Sequence, residues 1–505
     1  MRIKRYILMI DFSTNNLRVY IIDSLGNIVI KEESKIEMII NPDYPFIIEY
    51  DTKFIREIFF KIIKDVMKEA KKSNINIEAI SCVAQRIGTV FIDKNFNEIY
   101  MGPNSDSRGI FVDFPINEEE IKRIYEITGH TPLFIFSPMR FLWFKENKME
   151  MAKKISKILT LHDWIIHKLT GNSITEPSIA SDTLLFDINK REWSKYLLDL
   201  FGVDIELLPE VKNAGDFAGE IEKEVARKTG LPKNLPVFVG GGDTHFGLLA
   251  AGLMNEKHYG CVAGYTSPVA GITNKPIIDK NMKVWAGCHI FPNKWIIESN
   301  AGFSGGLVDW FIKSFLFSTS LNPYRYFEKL VESSEIGAKG MRMRIGSMIM
   351  NAKNMVEQKM NGFILLKSPN IPFIKPARIE DFARSILETI AFTIKANLKQ
   401  LIEISNIKLE YFGITGGLTR FKSFLKILSN VLGSEIQVSK KFYGSMLACA
   451  ILTFKNIAVY SSFEEAFRNM ANFYIIKPNN KKIQIYNEIF LDWLDFYKTI
   501  DSIGI

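Results

Sequence analysis

The chain opens with two apolar runs, "YILMI" (6–10) and "LRVYIID" (17–23), on either side of a polar tip, "DFSTNN". A turn at "SLGN" then leads into "IVIKEE" (28–33). Short β-branched runs bounded by turn residues predict three antiparallel strands. "TKFIREIFFKIIKDVMKEAKK" (52–72) places its apolar residues at helical spacing and predicts an amphipathic helix. A buried strand, "AISCVA", and a hairpin, "GTVFIDKNFNEIY", follow. Residues 117–171 read as largely helical, with Gly171 as a C-terminal stop.

The second half repeats this plan. "YGCVAGYTSPVAGIT" (259–273) predicts two strands around another Ser/Thr tip, and "KWIIESNAG" supplies a third. "LEYFGITGGLTRFKSFLKILSNVLGSEIQVSK" reads as strand, glycine turn, helix and strand, and "YGSMLACAILTFK" opens a further helix. Two halves that each begin with a hairpin and continue into strand–helix alternation predict a duplicated α/β domain. The expected division is 1–252 and 253–505. No Ser/Gly linker separates the halves, so they are expected to pack face to face around a ligand-binding cleft.

Composition narrows the class. A chain of 505 residues exceeds one ordinary core, and 47% hydrophobic with 24% charged residues is a globular balance. The net charge of +8 is a weak field over this length, which argues against nucleic acid or membrane partners. Cys82, Cys261, Cys288 and Cys449 form no CxxC pair, so a reducing, cytoplasmic location is expected. The N-terminal "MRIKRYILMIDFS" has a basic flank, but its apolar run is too short for a signal peptide.

Candidate chemistry centres on "PVFVGGGDTHFGLLAAGL" (236–253), where Asp243 follows three glycines at the start of a helix. Two readings stand: a helix cap, or a carboxylate at a strand end with room for a substrate. No Walker loop is present, and "GGGDTH" does not fit a dinucleotide fingerprint. The tips "DFSTNN" and "GYTSP" offer turn amides and hydroxyls to an anion, and Asp11 would hold Mg2+ through water. Gly416 and Gly417, between a strand and a helix, would let an adenine ring lie against backbone. His245, His289 and Glu298 are isolated polar residues near glycine turns, more often structural than catalytic, without metal-ligand spacing. Trp143 and Trp164 read as core.

In combination these segments resemble the FGGY family of carbohydrate kinases over nearly the whole chain. "IDFSTNNLRVYIID" is similar to the family's first phosphate hairpin, with Ser13 at its usual glycine. "SPMRFLWFKEN" resembles its first signature, with Arg140 for lysine. "GYTSP" resembles the second phosphate loop and "GITGGLTRFKSFLKILSNVLG" the adenosine signature. "YGSMLACAIL" resembles the helix after it, with Gly444 at the usual glutamate position.

The resemblance implies two actin-like (ribonuclease H-like) domains, each a mixed five-stranded sheet flanked by helices, with ATP and Mg2+ in the cleft. It implies Asp243 as catalytic base, also near the metal. The implied phosphate and nucleotide contacts are Ser13, Thr14, Asn15, Arg18, Gly264, Thr266, Ser267, Gly416 and Gly417. Implied substrate contacts are Gln85, Arg86, Asn104, Asp106, Asp243 and Thr244, around a sugar or polyol such as a pentulose. A homodimer would be in keeping with the family. The competing reading is an actin- or chaperone-like ATPase, or a sugar-sensing regulator.

Overall fold

A computed structural model describes residues 4–316, 322–355, 362–367, 376–441 and 443–503. The basic flank at residues 1–3 therefore lies outside the described residues. Strands β1 (Tyr6–Ser13), β2 (Asn16–Asp23) and β3 (Ile28–Lys35) form the expected antiparallel meander. β4 (Ile77–Ala84) lies parallel to β1 on its other side, and β5 (Pro236–Phe238) continues parallel to β4. Ile7 to Phe12 are buried almost throughout, because β1 is central and covered on both faces. β3, at the sheet's edge, alternates exposed with half-buried residues.

The second sheet repeats this order. β6 (His258–Val262), β7 (Thr266–Thr273) and β8 (Trp295–Phe303) form its meander. β9 (Tyr411–Thr415) is parallel to β6, and β10 (Ile436–Ser439) is parallel to β9. Each sheet is seven-stranded: the five expected strands plus additions. In the first these are Phe217–Glu220 and the two-residue Gly241–Gly242; in the second, Trp285–Cys288 and Phe473–Ile476.

Helix α1 (Thr52–Lys72) covers the first sheet, its N-cap Asp51 accepting from the amides of Lys53 and Phe54. Two helices bridge the halves. α2 (Asp243–Ala250) packs on β6 and β9 of the second sheet, whereas α3 (Gly444–Asn456) packs on β1 and β4 of the first. The two helices also pack on each other, and Phe246, Leu249 and Ala250 share one core with Ile7, Met9 and Leu447. The residue that opens α2 is thus held between both sheets.

Residues between β4 and β5 add a three-stranded sheet (Thr89–Ile92, Glu98–Gly102 and Lys157–Thr160) with its own core. The stretch expected to be helical holds helices Glu118–Thr128, Ser137–Asn147, Met149–Ala152 and Leu161–Thr170, interrupted by the Lys157–Thr160 strand. Gly171 ends the last of them in the left-handed region, as its position predicts. Trp164 is fully buried and Trp143 nearly so. Among the described residues no helix is long and apolar enough to cross a membrane, and no cluster of three or more metal-ligating side chains occurs.

Candidate active site

The triple glycine does two jobs. A Cβ on Gly240 would stand 1.6 Å from the Cys82 carbonyl oxygen, so only glycine allows the chain to run this close to β4. Gly241 and Gly242 then pair parallel to Val83 and Ala84. The N-cap of α2 is Gly242, so Asp243 is the first helical residue and not the cap. Its Oδ1 accepts from the Thr244 amide at 2.6 Å and the Thr244 hydroxyl at 3.2 Å. No described residue hydrogen-bonds to Oδ2. Burial, then the nearby Asp11 charge, pushes the Asp243 carboxyl up to about 6, while Arg86 and Thr244 pull the other way.

Asp11 lies near the end of the buried run of β1, directly across from Arg18 in the hairpin. Arg18 Nη1 donates to Asp11 Oδ2 at 2.9 Å and to Ser13 Oγ at 3.2 Å. Burial raises the Asp11 carboxyl, opposed by Arg18. The Ser13 hydroxyl donates to the Asn16 carbonyl, so it works within its own turn. Asn15 is exposed at the tip, and the Thr14 hydroxyl is 3.3 Å from Gln85 Oε1. Gln85 Oε1 also accepts from the Asn104 amide, and Gln85 Nε2 donates to the Tyr50 hydroxyl. Gln85 and Asn104 are thereby grouped with the first turn.

Asp106, expected at the substrate, is fully buried and committed elsewhere. It accepts from the Ile48 amide, from Arg108 Nε at 2.7 Å and from the Tyr100 hydroxyl. Arg140, also fully buried, lies 3.8 Å away. The carboxylate serves this internal charge cluster, and its lone pairs are taken by protein donors.

A second group gathers beside Asp243. Arg86 donates through Nη1 and Nη2 to both oxygens of Glu298, at 3.0 and 2.7 Å, and lies 3.5 Å from Asp182. His130 Nε2 is 3.3 Å from Asp182 Oδ1, and its ring lies 4.9 Å from that of Trp285. Burial opposes ionisation of Asp182, but Arg86 and His130 hold it at about 2. His245 and His289 are both pushed down to about 3, first by burial, then by Arg86 for His245 and by His245 for His289. Arg86 comes from the end of β4 and Glu298 from β8, so this group spans the two halves. The residues read from sequence as structural, His245, His289 and Glu298, join here with Asp182, His130 and Trp285, which sequence reasoning had not singled out. The available signal was a charged residue directly after an apolar strand run, in "WIIESN".

The second turn lies in the other half. Gly264 and Gly417 line a cavity of about 720 Å³ with Tyr265, Gly305, Arg325 and Arg420. Gly416 sits at φ +105°, and a Cβ there would meet the Ala263 carbonyl oxygen at 2.5 Å. A Cβ on Gly417 would meet nothing within 4 Å, so that residue faces open space. Thr266 is exposed at the tip, whereas Ser267 is fully buried in β7, one residue further along a strand whose side chains alternate. Ser267 is thus turned away from the opening. The GYT turn is braced by the start of the helix Gly305–Phe315, where Gly305 donates to the Gly264 carbonyl.

Duplicated sheets bridged by two helices, with Asp11, Asp182 and Asp243 in one half and a glycine-walled cavity in the other, define an actin-like α/β fold. Residues 6–250 match the model of the FGGY family of carbohydrate kinases, N-terminal domain. The N-terminal half of the chain therefore carries an FGGY carbohydrate kinase domain, and the members of that family are ATP-dependent phosphotransferases acting on an alcohol group. The chain is 28% identical over 482 residues to Bacillus subtilis (strain 168) YoaC, whose name places it among sugar kinases without specifying a sugar; 95% of this chain and 94% of that one are covered. It is 25% identical over 523 residues to the autoinducer-2 kinase of Klebsiella pneumoniae, covering 99% and 94%. The ligand-bound xylulose kinase of Lactobacillus acidophilus superimposes with a TM-score of 0.86 at 19% identity, covering 98% of each chain.

Proposed function

We propose that this kinase transfers the γ-phosphate of ATP to a hydroxyl of a pentulose or related sugar or polyol, with Asp243 as general base. The observation that carries the reading is the state of the Asp243 carboxyl. Oδ1 is fixed by Thr244, no described residue bonds to Oδ2, and the group titrates near 6. Such a base is ionised at neutral pH and close enough to it to accept a proton late in the reaction. The acceptor oxygen bonds to the γ-phosphorus as the bond to the bridging oxygen breaks, and its proton passes to Oδ2.

Thr14 and the Gly264–Thr266 turn are the proposed phosphate contacts, with Gly416 and Gly417 beside the adenosine. Asp11 and Asp243 fit a divalent cation, since their mutual repulsion raises Asp243. Mg2+ held there through water would neutralise phosphate charge. Arg86 and Thr244 border the acceptor side. The autoinducer-2 kinases among its relatives add the autoinducer-2 precursor to the candidate acceptors.

Coupled ADP release tests the proposal across D-xylulose, other pentuloses, glycerol, erythritol, gluconate and the autoinducer-2 precursor. Turnover that requires one of these acceptors, and is lost in Asp243→Asn, supports it. Equal turnover without any acceptor overturns it in favour of a simple ATPase.

A further inference from the structure

We infer that two copies of this chain pair through an apolar ridge and groove on the first half, forming a two-fold dimer. The surface lies around the hairpin of Met38–Ile40 with Ile48–Tyr50.

The patch is continuous. Ile39, Ile40, Tyr44 and Met151 line a groove of about 680 Å³, and Trp143 and Phe144 form part of its wall. The Tyr44 ring lies 5.4 Å from that of Phe111, which lies 6.5 Å from Phe46, so the groove runs on into an aromatic ridge. Ile39, Ile40, Tyr44, Phe46, Phe111 and Met151 are 38–56% exposed. Together they leave about 600 Å² of mostly apolar surface in water, at the upper end for a monomer. A stable interface needs about 800 Å² from each partner, which this patch and its polar rim supply. The hairpin is also held from beneath. The Phe46 carbonyl accepts from the Ser107 amide, the Ile48 amide donates to Asp106, and the Tyr50 hydroxyl donates to the Thr14 carbonyl. A ridge fixed in this way needs little ordering when a partner arrives.

Shape and charge specify a second copy as the occupant. Ridge and groove adjoin through Tyr44, which belongs to both. A two-fold axis beside that residue seats each ridge in the other groove and closes the assembly at two chains. Asp43 is exposed next to Tyr44 on the ridge, whereas Lys148 lines the groove. Neither forms an ion pair among the described residues. Seating the ridge brings Asp43 to the partner's Lys148, and the symmetry makes this pair twice.

The experiment is analytical ultracentrifugation of the intact protein at about 1 to 100 µM, a range that spans micromolar association. It reads no phosphorylation, so its outcome is independent of the kinase reading. A species of twice the chain mass should predominate at the upper end. Phe46→Glu and Ile40→Lys each place a charge at a surface position that pairing buries, and should weaken association about 100-fold with the far-UV circular dichroism unchanged. Using both keeps the test open if one variant fails to fold. Asp43→Lys and Lys148→Asp should each weaken the dimer, and the double variant should recover it, which general damage to the surface would not do. A parent that stays monomeric to 100 µM would overturn the inference, as would a dimer that survives both Phe46→Glu and Ile40→Lys. So would a mass that grows past two chains, or a double variant no better than its singles. A monomeric parent that floats with phosphatidylglycerol vesicles, and fails to as Phe46→Glu, would assign the face to a lipid surface instead.

Discussion

Asp243→Asn should stabilise the protein while it destroys catalysis. The carboxyl rises from 3.8 to about 6 on folding, chiefly because burial disfavours its charged form and then because Asp11 repels it. The ordinary form of the unfolded chain is charged above the lower value, so folding at neutral pH opposes that charge. At about 1.4 kcal/mol per pH unit, the cost is at most about 3 kcal/mol, and solvent contact reduces it to about 1–2 kcal/mol. Asparagine keeps an oxygen for the Thr244 amide and carries no charge. The sign is fixed by linkage: stability associated with this raised group is complete below the unfolded value and lost as pH rises through about 6. The variant should therefore match the parent near pH 4 and exceed it by about 2 °C in Tm near pH 8, for a unit of this size. Thermal unfolding of the ligand-free, Mg2+-free proteins across that range measures the gap, and acceptor-dependent ADP release should fall about 10²- to 10⁴-fold. A variant less stable than the parent near pH 8, or a gap independent of pH, would refute the argument.

Arg86→Ala leaves Asp182 and Glu298 without their cation, so chemical denaturation should show a loss of about 3–5 kcal/mol. In whatever fraction stays folded, the acid limb of the rate–pH profile should move above 6, since Arg86 lowers the Asp243 carboxyl. The neighbouring glycines 416 and 417 of the proposed adenosine turn should behave differently. Gly416→Ala forces a Cβ onto the Ala263 carbonyl at a positive φ and should cost about 1–3 kcal/mol of stability, whereas Gly417→Val should raise the KM for ATP with an unchanged Tm. Gly444→Glu, which introduces the residue that the family resemblance implies at this position, should lower Tm instead of improving the enzyme. A Cβ there would stand 2.8 Å from Thr415 Oγ1 and 3.1 Å from Ala250 Cβ, where α3 meets α2.

The duplicated meanders were legible because their signal is local. β1, β2, β6 and β7 are short apolar runs broken by polar tips, and period and punctuation are all a strand needs. The additions to each sheet were not legible. Gly241–Gly242 pairs through backbone alone, and a two-residue strand has no period. The order of motifs singled out Asp243, Asp11 and the glycine turns as candidates, but not the direction of neighbouring side chains. Asp106 and Ser267 have the right types in the right segments, yet one is consumed by Arg108 and Tyr100 and the other faces into the sheet.

The Arg86 group shows where local reading stops. Arg86, Asp182 and Glu298 come from three distant stretches, and each taken singly is an ordinary polar residue. "WIIESN" does hint at a buried acid, because Glu298 continues directly from the apolar run Trp295–Ile297 of a strand. A buried carboxylate needs a cation or a proton, so if that strand is buried a partner is required. The sequence cannot say which of 64 lysines and arginines answers, because that depends on how two sheets close around two crossed helices. The pairing of Arg86 with Asp182 and Glu298 is therefore a property of the closure between the two halves, which no single motif of the sequence encodes.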